Sequence, residues 1–217
     1  MRERTIIAID GPAASGKSSV ARALARRLLL AYVNSGAMYR AVTWWFLSQG
    51  VDAQDPEAVL ALLPHMALEC GLEHGASTIR IAGANPEPHL CEEEVNQNVS
   101  AIARMPEIRR ILLQKLREYG DRCDIVMEGR DIGSVVFPDT SYKFYIDASP
   151  EVRARRRALQ GQRDAITDRD RADTSRKASP LTIAEDAYVI DSSNLTMDGV
   201  VGEIIGRLKL KGLEVPD

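Results

Sequence analysis

A single stretch of eight residues, 11–18, constrains this chain more than any other feature of its sequence. It reads Gly-Pro-Ala-Ala-Ser-Gly-Lys-Ser and matches the pattern G-x-x-x-x-G-K-[ST] at every fixed position. The apolar, β-branched run 5–9 before it is typical of a buried strand, and residues 17–30 after it have the apolar spacing of a helix. Strand, glycine-rich turn and helix in this order predict a phosphate-binding loop, or P-loop.

The chemistry of such a loop follows from its backbone. Its glycines let successive N–H groups point at phosphate oxygens, and the helix that follows adds its positive N-terminus. Lys17 then reaches the outer phosphates of a nucleotide, and the hydroxyl of Ser18 is offered to Mg²⁺ as a metal ligand. We therefore expect a nucleotide to contact Gly11, Pro12, Ala13, Ala14, Ser15, Gly16, Lys17, Ser18 and Ser19.

Composition excludes several other classes of protein. The 217 residues suffice for one compact domain, and 28 Lys and Arg against 31 Asp and Glu leave no basic excess for nucleic-acid binding. The three cysteines have no C-x-x-C spacing, which disfavours a disulfide framework or a zinc site. No apolar run approaches the ~18–20 residues that span a bilayer, and residues 1–9 do not resemble a secretory signal. We expect a cytoplasmic protein that binds neither nucleic acid nor membrane.

Strand-like and helix-like segments alternate along most of the chain, which predicts an α/β fold with a doubly wound parallel sheet. Between about residues 66 and 90, short alternating runs broken by glycines predict a small antiparallel patch inserted into this fold. Predicted helices cover about 37–48, 92–104, 106–119, 149–159 and 198–210, and predicted strands 123–127, 142–146 and 188–190. The expected division is a core (about 1–64, 105–150 and 177–217), an insert (about 65–104) and a lid (about 151–176).

Polar and cationic residues elsewhere in the chain indicate a second, anionic substrate. They include the turn and helix start at 34–40 and the segment 128–133, which directly follows a predicted buried strand. Ligands of open parallel sheets bind at such strand ends. An uncharged acceptor would not call for so many arginines. By contrast, we interpret the arginines of 153–157 as a solvent-exposed helix face, because like-charged faces are usually exposed.

Six segments together make the chain resemble the bacterial cytidylate kinases, which are nucleoside-monophosphate kinases with the P-loop NTPase fold. The P-loop is shared by many families, whereas Ser-Gly-Ala-x-Tyr-Arg and Gly-Arg-Asp-x-Gly are specific to this one. The segments are G-P-A-A-S-G-K-S (11–18), N-S-G-A-M-Y-R (34–40), V-S-x-I-A-x-x-P-x-I-R (99–109), E-G-R-D-I-G-S-V-V-F-P-D (128–139), R-D-R-A-D-T-S-R (169–176) and V-I-D-S-S (189–193).

The resemblance implies a five-stranded parallel core, a small β-rich substrate-binding insert and a short lid. It also implies transfer of the γ-phosphoryl group of ATP to CMP or dCMP with Mg²⁺, in pyrimidine metabolism, by a monomer. Lys17, Arg130 and Arg176 would be catalytic. Ser35, Arg109 and Asp131 would contact the cytosine, Arg40, Arg130 and Arg176 the CMP phosphate, Ser100, Arg169 and Asp173 the sugar, and Tyr39 would be a further substrate contact.

Three departures from the family pattern keep alternatives open. Asn34 stands where aspartate is usual, Cys91 stands where many relatives carry arginine, and the stretch before Arg169 is shorter than in most members. The lid arginine that meets the transferring phosphoryl group is left among Arg155, Arg156 and Arg163. The alternatives to a CMP kinase are a kinase for UMP or another monophosphate, and a nucleotide-binding module without turnover.

Overall fold

The computed structural model describes residues 4–159 and 182–216. Within them, seven strands and seven α-helices alternate along most of the chain. The strands are β1 (Ile6–Asp10), β2 (Ala31–Asn34), β3 (Leu68–Glu73), β4 (Ala76–Ile81), β5 (Ile125–Gly129), β6 (Tyr142–Asp147) and β7 (Tyr188–Asp191). The helices are α1 (Lys17–Leu28), α2 (Ser35–Ser48), α3 (Pro56–Leu62), α4 (Glu93–Ile102), α5 (Pro106–Arg122), α6 (Pro150–Leu159) and α7 (Met197–Leu210), and a π-helical turn covers Ile132–Val136.

All of these strands form one sheet in the order β3-β4-β2-β5-β1-β6-β7, in which only the β3–β4 pair is antiparallel. The expected count of five strands is wrong for this sheet, which has seven. The reason is that the β3–β4 hairpin of the insert joins the sheet beside β2, where Tyr32 N donates to Gly75 O at 2.8 Å. Apart from this hairpin, the strands β2, β5, β1, β6 and β7 pair with one another in parallel.

Helices cover both faces of the sheet, as the doubly wound interpretation predicted. Along β1, Ile7 and Ile9 point into a core shared with α1 and α7, whereas Ala8 points into a second core shared with α2 and α5. This alternation follows from the two-residue period of a strand, and a strand covered on both sides must be apolar throughout. None of the helices in the described ranges is long and apolar enough to cross a membrane.

The insert packs against the second core through its hairpin. Ile79 and Ile81 of β4 belong to that core, and the Tyr119 hydroxyl of α5 donates to Gly71 O of β3 at 3.1 Å. One end of α5 is therefore tied to the hairpin, while its other end begins beside the cleft described below. The division of the chain into core, insert and lid stays a prediction.

Two helix starts show how local sequence sets the element boundaries. Helix α3 begins at Pro56, a residue suited to the first helical position, and Asp55 Oδ1 accepts from Glu57 N at 3.0 Å. Helix α2 begins at Ser35, two residues earlier than predicted. The cause is Asn34, whose Oδ1 accepts from Ala37 N at 2.9 Å and caps the helix.

We predict opposite effects of alanine at two helical glycines. A Cβ on Gly120 of α5 would lie 2.8 Å from Phe137 Cε1 and 3.0 Å from Ile6 Cδ1, whereas a Cβ on Gly206 of α7 would meet nothing within 4 Å. Gly120→Ala should lower the free energy of unfolding by about 1–3 kcal/mol through overpacking. Gly206→Ala should raise it by about 0.5–1 kcal/mol, because alanine favours helix. Urea unfolding measures both, and equal effects at the two positions would contradict the packing described for α5.

Candidate active site

A cleft of about 260 Å³ opens at the carboxyl ends of β1, β2 and β5. The P-loop and the start of α1 form one wall, and α4 with the segment before it forms another. Segments far apart in the sequence meet here because adjacent parallel strands end at the same edge: Asp10 of β1 is in register with Gly129, and Asn34 of β2 with Glu128. This is the edge at which open parallel sheets bind ligands.

The P-loop has the backbone that its glycines predicted. Gly11 has φ +153° and a Cβ there would lie 2.1 Å from Ile146 O, while Gly16 has φ +93° and immediately precedes α1. The first turn of α1 holds no acidic residue, and within the described residues no side chain caps it. Its first N–H groups are therefore available to a ligand that supplies acceptors. The expected nucleotide contacts that line the cleft are Ala13, Ala14, Gly16, Lys17, Ser18 and Ser19, whereas Gly11, Pro12 and Ser15 lie outside its lining.

Lys17 lies deep in the cleft beside a carboxylate. Its Nζ donates to Pro12 O at 3.1 Å and lies 3.9 Å from Glu128 Oε2, and Glu128 is only 3% exposed. Glu128 also accepts from the Tyr32 hydroxyl at 3.3 Å. Burial raises the pKa of Tyr32, and the charge of Glu128 raises it further, so the phenol remains a neutral donor. Sequence reasoning missed Tyr32, which sits in an ordinary apolar strand and carries no motif.

Arg109 and Asp131 form a buried ion pair at the other end of the cleft. Arg109 Nη2 donates to Asp131 Oδ2, and Nη1 donates to Ala103 O at 3.4 Å. The Arg109 guanidinium also lies 5.9 Å from the centre of the Tyr39 ring. The two residues expected to contact a base therefore meet from α5 and from the end of β5.

Two more arginines lie between this pair and the P-loop. Burial lowers the pKa of Arg40 from its ordinary value, while the negative charge of Glu128 opposes that shift. Arg130 donates from Nη1 to Gly11 O at 3.0 Å, so it touches the start of the P-loop. Together they place positive charge midway along the cleft, where an anion would be held.

The structure brings together every expected acceptor-side residue that it describes. Those lining the cleft are Ser35, Tyr39, Arg40, Ser100, Arg109, Arg130 and Asp131. Ser35 donates from Oγ to Glu128 O at 2.8 Å, which ties the start of α2 to the end of β5. The predictions for Arg169, Asp173 and Arg176, and for Arg163, fall outside the described residues.

Further residues line the cleft besides the individual contacts expected from the sequence. Asn34, the departure from the family pattern, caps α2 at the edge of the cleft, a role that asparagine fills as well as aspartate. The others are Gly36, Leu90, Cys91, Asn96, Val99, Ala103, Glu128, Gly129 and Arg157. Most of the insert side is uncharged, so the charges of the cleft belong chiefly to the core.

Asp10 supports the cleft from behind and was also missed. It is 5% exposed, and its two carboxylate oxygens accept from Ile132 N and Gly133 N, each at 2.8 Å. Desolvation by burial raises the pKa of Asp10 to about 6, against the lowering effect of these two hydrogen bonds. The sequence did contain a signal for Asp10, since it is an acidic residue at the end of an otherwise apolar strand and directly precedes Gly11.

The interpretation of 153–157 as a solvent-exposed face is wrong for two of its arginines. Arg153 is only 7% exposed and donates to Ala148 O at 3.0 Å and to Ala13 O at 3.4 Å. Arg156 donates to Ser15 O at 3.1 Å. The spacing i, i+3 places these two on one side of α6, and that side meets the P-loop.

The cleft can thus hold two anionic groups in one line. One end offers the N-terminus of α1 and Lys17, the middle offers Arg40 and Arg130, and the far end offers a carboxylate and a guanidinium as paired acceptor and donors. Within residues 4–159 and 182–216, no group of three or more His, Cys, Asp or Glu side chains could hold a metal ion.

Comparison with known proteins agrees with this geometry. A family model described as cytidylate kinase matches residues 7–210. The chain is similar to the cytidylate kinase of Streptomyces avermitilis, with 41% identity over 95% of this chain and 93% of that one, and to that of Corynebacterium efficiens, with 42% identity over 92% of each. In fold it is similar to the shikimate kinase of Acinetobacter baumannii, with a TM-score of 0.50 and 13% identity over 97% of this chain and 96% of that one.

We predict that the carboxyl group of Asp10 titrates with a midpoint near pH 6. Because its pKa is raised from 3.8 to about 6, the folded state keeps a proton that the unfolded state releases in this window. The contribution of Asp10 to the free energy of unfolding therefore falls as pH rises from about 4 to about 6, by up to about 3 kcal/mol. Carboxyl ¹³C shifts measure the midpoint.

Asp10→Asn, which cannot titrate, is the control for this prediction. Its stability relative to the parent chain should rise as pH increases from 4 to 7, although it also loses one acceptor for the two backbone N–H groups. A carboxyl midpoint below pH 4.5 would show that the two hydrogen bonds outweigh the burial.

Proposed function

The chain belongs to the cytidylate kinase family, and we propose that it transfers the γ-phosphoryl group of ATP to CMP or dCMP, which yields ADP and CDP or dCDP. The observation that supports this most strongly is the single cleft that joins a P-loop to the buried Arg109–Asp131 pair. The half with the P-loop suits a polyphosphate. The half with Arg109 and Asp131 suits a base that has a hydrogen-bond donor beside an acceptor. A nucleoside monophosphate presents both its base and its phosphate to such a cleft.

The donor half holds ATP by its phosphates. The uncapped N–H groups of α1 and the P-loop backbone bind oxygens, and Lys17 compensates charge on the outer phosphates. Mg²⁺ usually binds to one or two protein oxygens together with phosphates and water, and the hydroxyl of Ser18 in the first turn of α1 suits that donor set. Bound there, the ion would neutralise charge on the β- and γ-phosphates.

The acceptor phosphate lies against Arg40 and Arg130, with Arg176 as a further ligand predicted from the sequence. Arg40 is half-buried in the lining of the cleft, and burial lowers the pKa of its guanidinium, so a phosphate bound there would offset the lost hydration. A phosphate monoester has its second pKa near 6 and is mostly a dianion at pH 7. The attacking oxygen therefore needs no general base, and Lys17, Arg40 and Arg130 accelerate transfer by positioning and charge compensation.

The Arg109–Asp131 pair selects the base. Cytosine places an exocyclic amine, a donor, beside the acceptors N3 and O2, so a carboxylate suits the first and a guanidinium the others. Uracil would direct a carbonyl oxygen at Asp131 and leave a buried carboxylate against an acceptor. Ser35 and Tyr39 lie beside the base, and Ser100 contacts the sugar, with Arg169 and Asp173 as further sugar contacts predicted from the sequence.

A substrate panel tests this function. We expect ATP-dependent ADP formation to be fastest with CMP and dCMP, and much slower with UMP, AMP and shikimate. Lys17→Ala should lower kcat by about 10²–10³-fold, since it removes a charge aimed at the transferring group. A highest rate with UMP, AMP or shikimate would contradict the proposed acceptor. Nucleotide binding without ADP formation under excess CMP would instead identify a binding module.

Asp131→Asn should reduce the preference for CMP over UMP. The substitution removes the charged acceptor for the cytosine amine, and a hydrogen bond to a charged group contributes about 1.5–3 kcal/mol, so the ratio of the two kcat/KM values should fall by about 10–100-fold. Asp121→Asn, an exposed change of the same kind at the far end of α5, is the control and should leave the ratio unchanged. An unchanged ratio in Asp131→Asn would remove this residue from base recognition.

A further inference from the structure

Carbonyl oxygens of the P-loop accept hydrogen bonds from cationic side chains, and two of these side chains, Arg153 and Arg156, lie outside the lining of the cleft. A peptide unit is planar and its C=O and N–H groups point in nearly opposite directions, so a carbonyl held outward keeps an N–H group directed inward. Three carbonyls that precede a residue with an N–H group accept such bonds: Pro12 O from Lys17 Nζ at 3.1 Å, Ala13 O from Arg153 Nη1 at 3.4 Å and Ser15 O from Arg156 Nη1 at 3.1 Å. A fourth, Gly11 O, accepts from Arg130 Nη1 at 3.0 Å, but the next residue, Pro12, has no N–H group to direct.

Two of these four cations, Arg153 and Arg156, belong to α6. Arg153 is anchored at its own base, because its Nε donates to Ala148 O at 3.0 Å. Its guanidinium then spans from the start of α6 to the P-loop. A long side chain that is 7% exposed and bonded at both ends holds its position without the entropy that a solvated arginine would retain.

Arg156 joins the P-loop to the end of β7. Its Nη2 donates to Ser192 O at 2.8 Å and its Nη1 to Ser192 Oγ at 3.0 Å, while the Ser192 hydroxyl donates to Ser15 O at 2.8 Å. Ser15 O thus accepts two hydrogen bonds, which fills both of its lone pairs. The planar guanidinium is suited to this bridge because its donors diverge at fixed angles.

Both guanidinium groups also place positive charge directly behind the loop. The cleft-facing side of the same loop is lined by Ala13, Ala14 and Gly16, which have no charged side chain. Charge on the outer side acts across one layer of backbone on whatever the inner N–H groups bind. Position and charge therefore favour the same ligand, an anion with several oxygens.

Resting on the donor site proposed above, we propose that Arg153 and Arg156 are positioning residues of the kinase reaction. They hold the P-loop in the conformation that binds the β-phosphate of ATP, and they act through its carbonyl groups without contacting the nucleotide. This assignment removes Arg156 from the candidates for the lid arginine that contacts the transferring phosphoryl group.

Arg156→Gln tests the proposal in the full-length protein. Titration calorimetry should give about tenfold weaker binding of ADP, whose β-phosphate lies in the loop. The inhibition constant of adenosine against ATP and the KM of CMP should stay unchanged, because neither depends on the loop backbone. The matched control is Arg26→Gln, which removes the same charge from an exposed position near the other end of α1 and should change none of these values.

Two milder variants keep the proposal testable if Arg156→Gln folds poorly. Arg156→Lys can donate to Ser15 O but cannot span to Ser192, so it should restore part of the ADP affinity. Ser192→Ala should weaken ADP binding by itself. Combined with Arg156→Gln it should cost less than the sum of the two single changes, since both act on the same carbonyl. If the role of Arg156 were purely structural, these variants would lower the melting temperature, and the ratio of the ADP affinity to the adenosine affinity would stay constant.

Three results would overturn the proposal. Unchanged ADP affinity in all of these variants would show that the loop does not depend on α6. Equal weakening of ADP and adenosine would place Arg156 against the base, and a lower kcat with unchanged ADP affinity would place it on the transferring group. Because ADP binding is measured without turnover, these outcomes stay distinct from a failure of the proposed function, which would show as absent CMP-dependent ADP formation in the parent chain.

Discussion

The parallel register of β1, β2 and β5 is the constraint on which the cleft depends. Asp10 pairs with Gly129, and Asn34 pairs with Glu128, so the three strands end at the same edge of the sheet. The three segments that follow these strands therefore lie side by side and form the cleft. A shift of one residue in β5 would turn Glu128 away from Lys17 and direct a neighbouring side chain into the cleft. Apolar cores on both faces oppose such a shift, because Met127 and Val126 pack on opposite sides of the sheet.

Buried charge is the second property of this site. Glu128, Asp131 and Asp10 are all nearly inaccessible, and each would be costly alone. Each has partners close by. Glu128 faces Lys17 and accepts from Tyr32, Asp131 pairs with Arg109, and Asp10 accepts from two backbone N–H groups. Such pairs contribute little net stability compared with apolar packing. Under the proposed function they contribute to catalysis, because donors already desolvated and oriented need no reorganisation when charge moves between two phosphates.

Local sequence was enough to predict the β1, P-loop and α1 unit and most helix spans, whereas the individual acceptor-side residues were predicted from the family resemblance. The site roles of those residues remain predictions. Other features depend on pairings that no local pattern contains. The strand count was wrong because β4 pairs with β2 across forty residues, and the inward turn of Arg153 and Arg156 depends on where α6 meets the P-loop. Tyr32 and Asp10 were missed because a partner distant in the sequence, not the residue type, defines their roles.

The segment 128–131 shows why donor and acceptor sites stay in fixed relation. Glu128 faces Lys17, Arg130 donates to Gly11 O, and Asp131 pairs with Arg109, so three residues of this four-residue segment contact both halves of the cleft. Just beyond Asp131, the carboxylate of Asp10 holds Ile132 N and Gly133 N and so fixes this segment against β1. Under the proposed function, one short stretch of backbone, anchored to the strand before the P-loop, therefore sets the distance between a bound γ-phosphate and an acceptor phosphate. Phosphoryl transfer between two anions needs such fixed spacing, because their mutual repulsion would push them apart in a site that could deform.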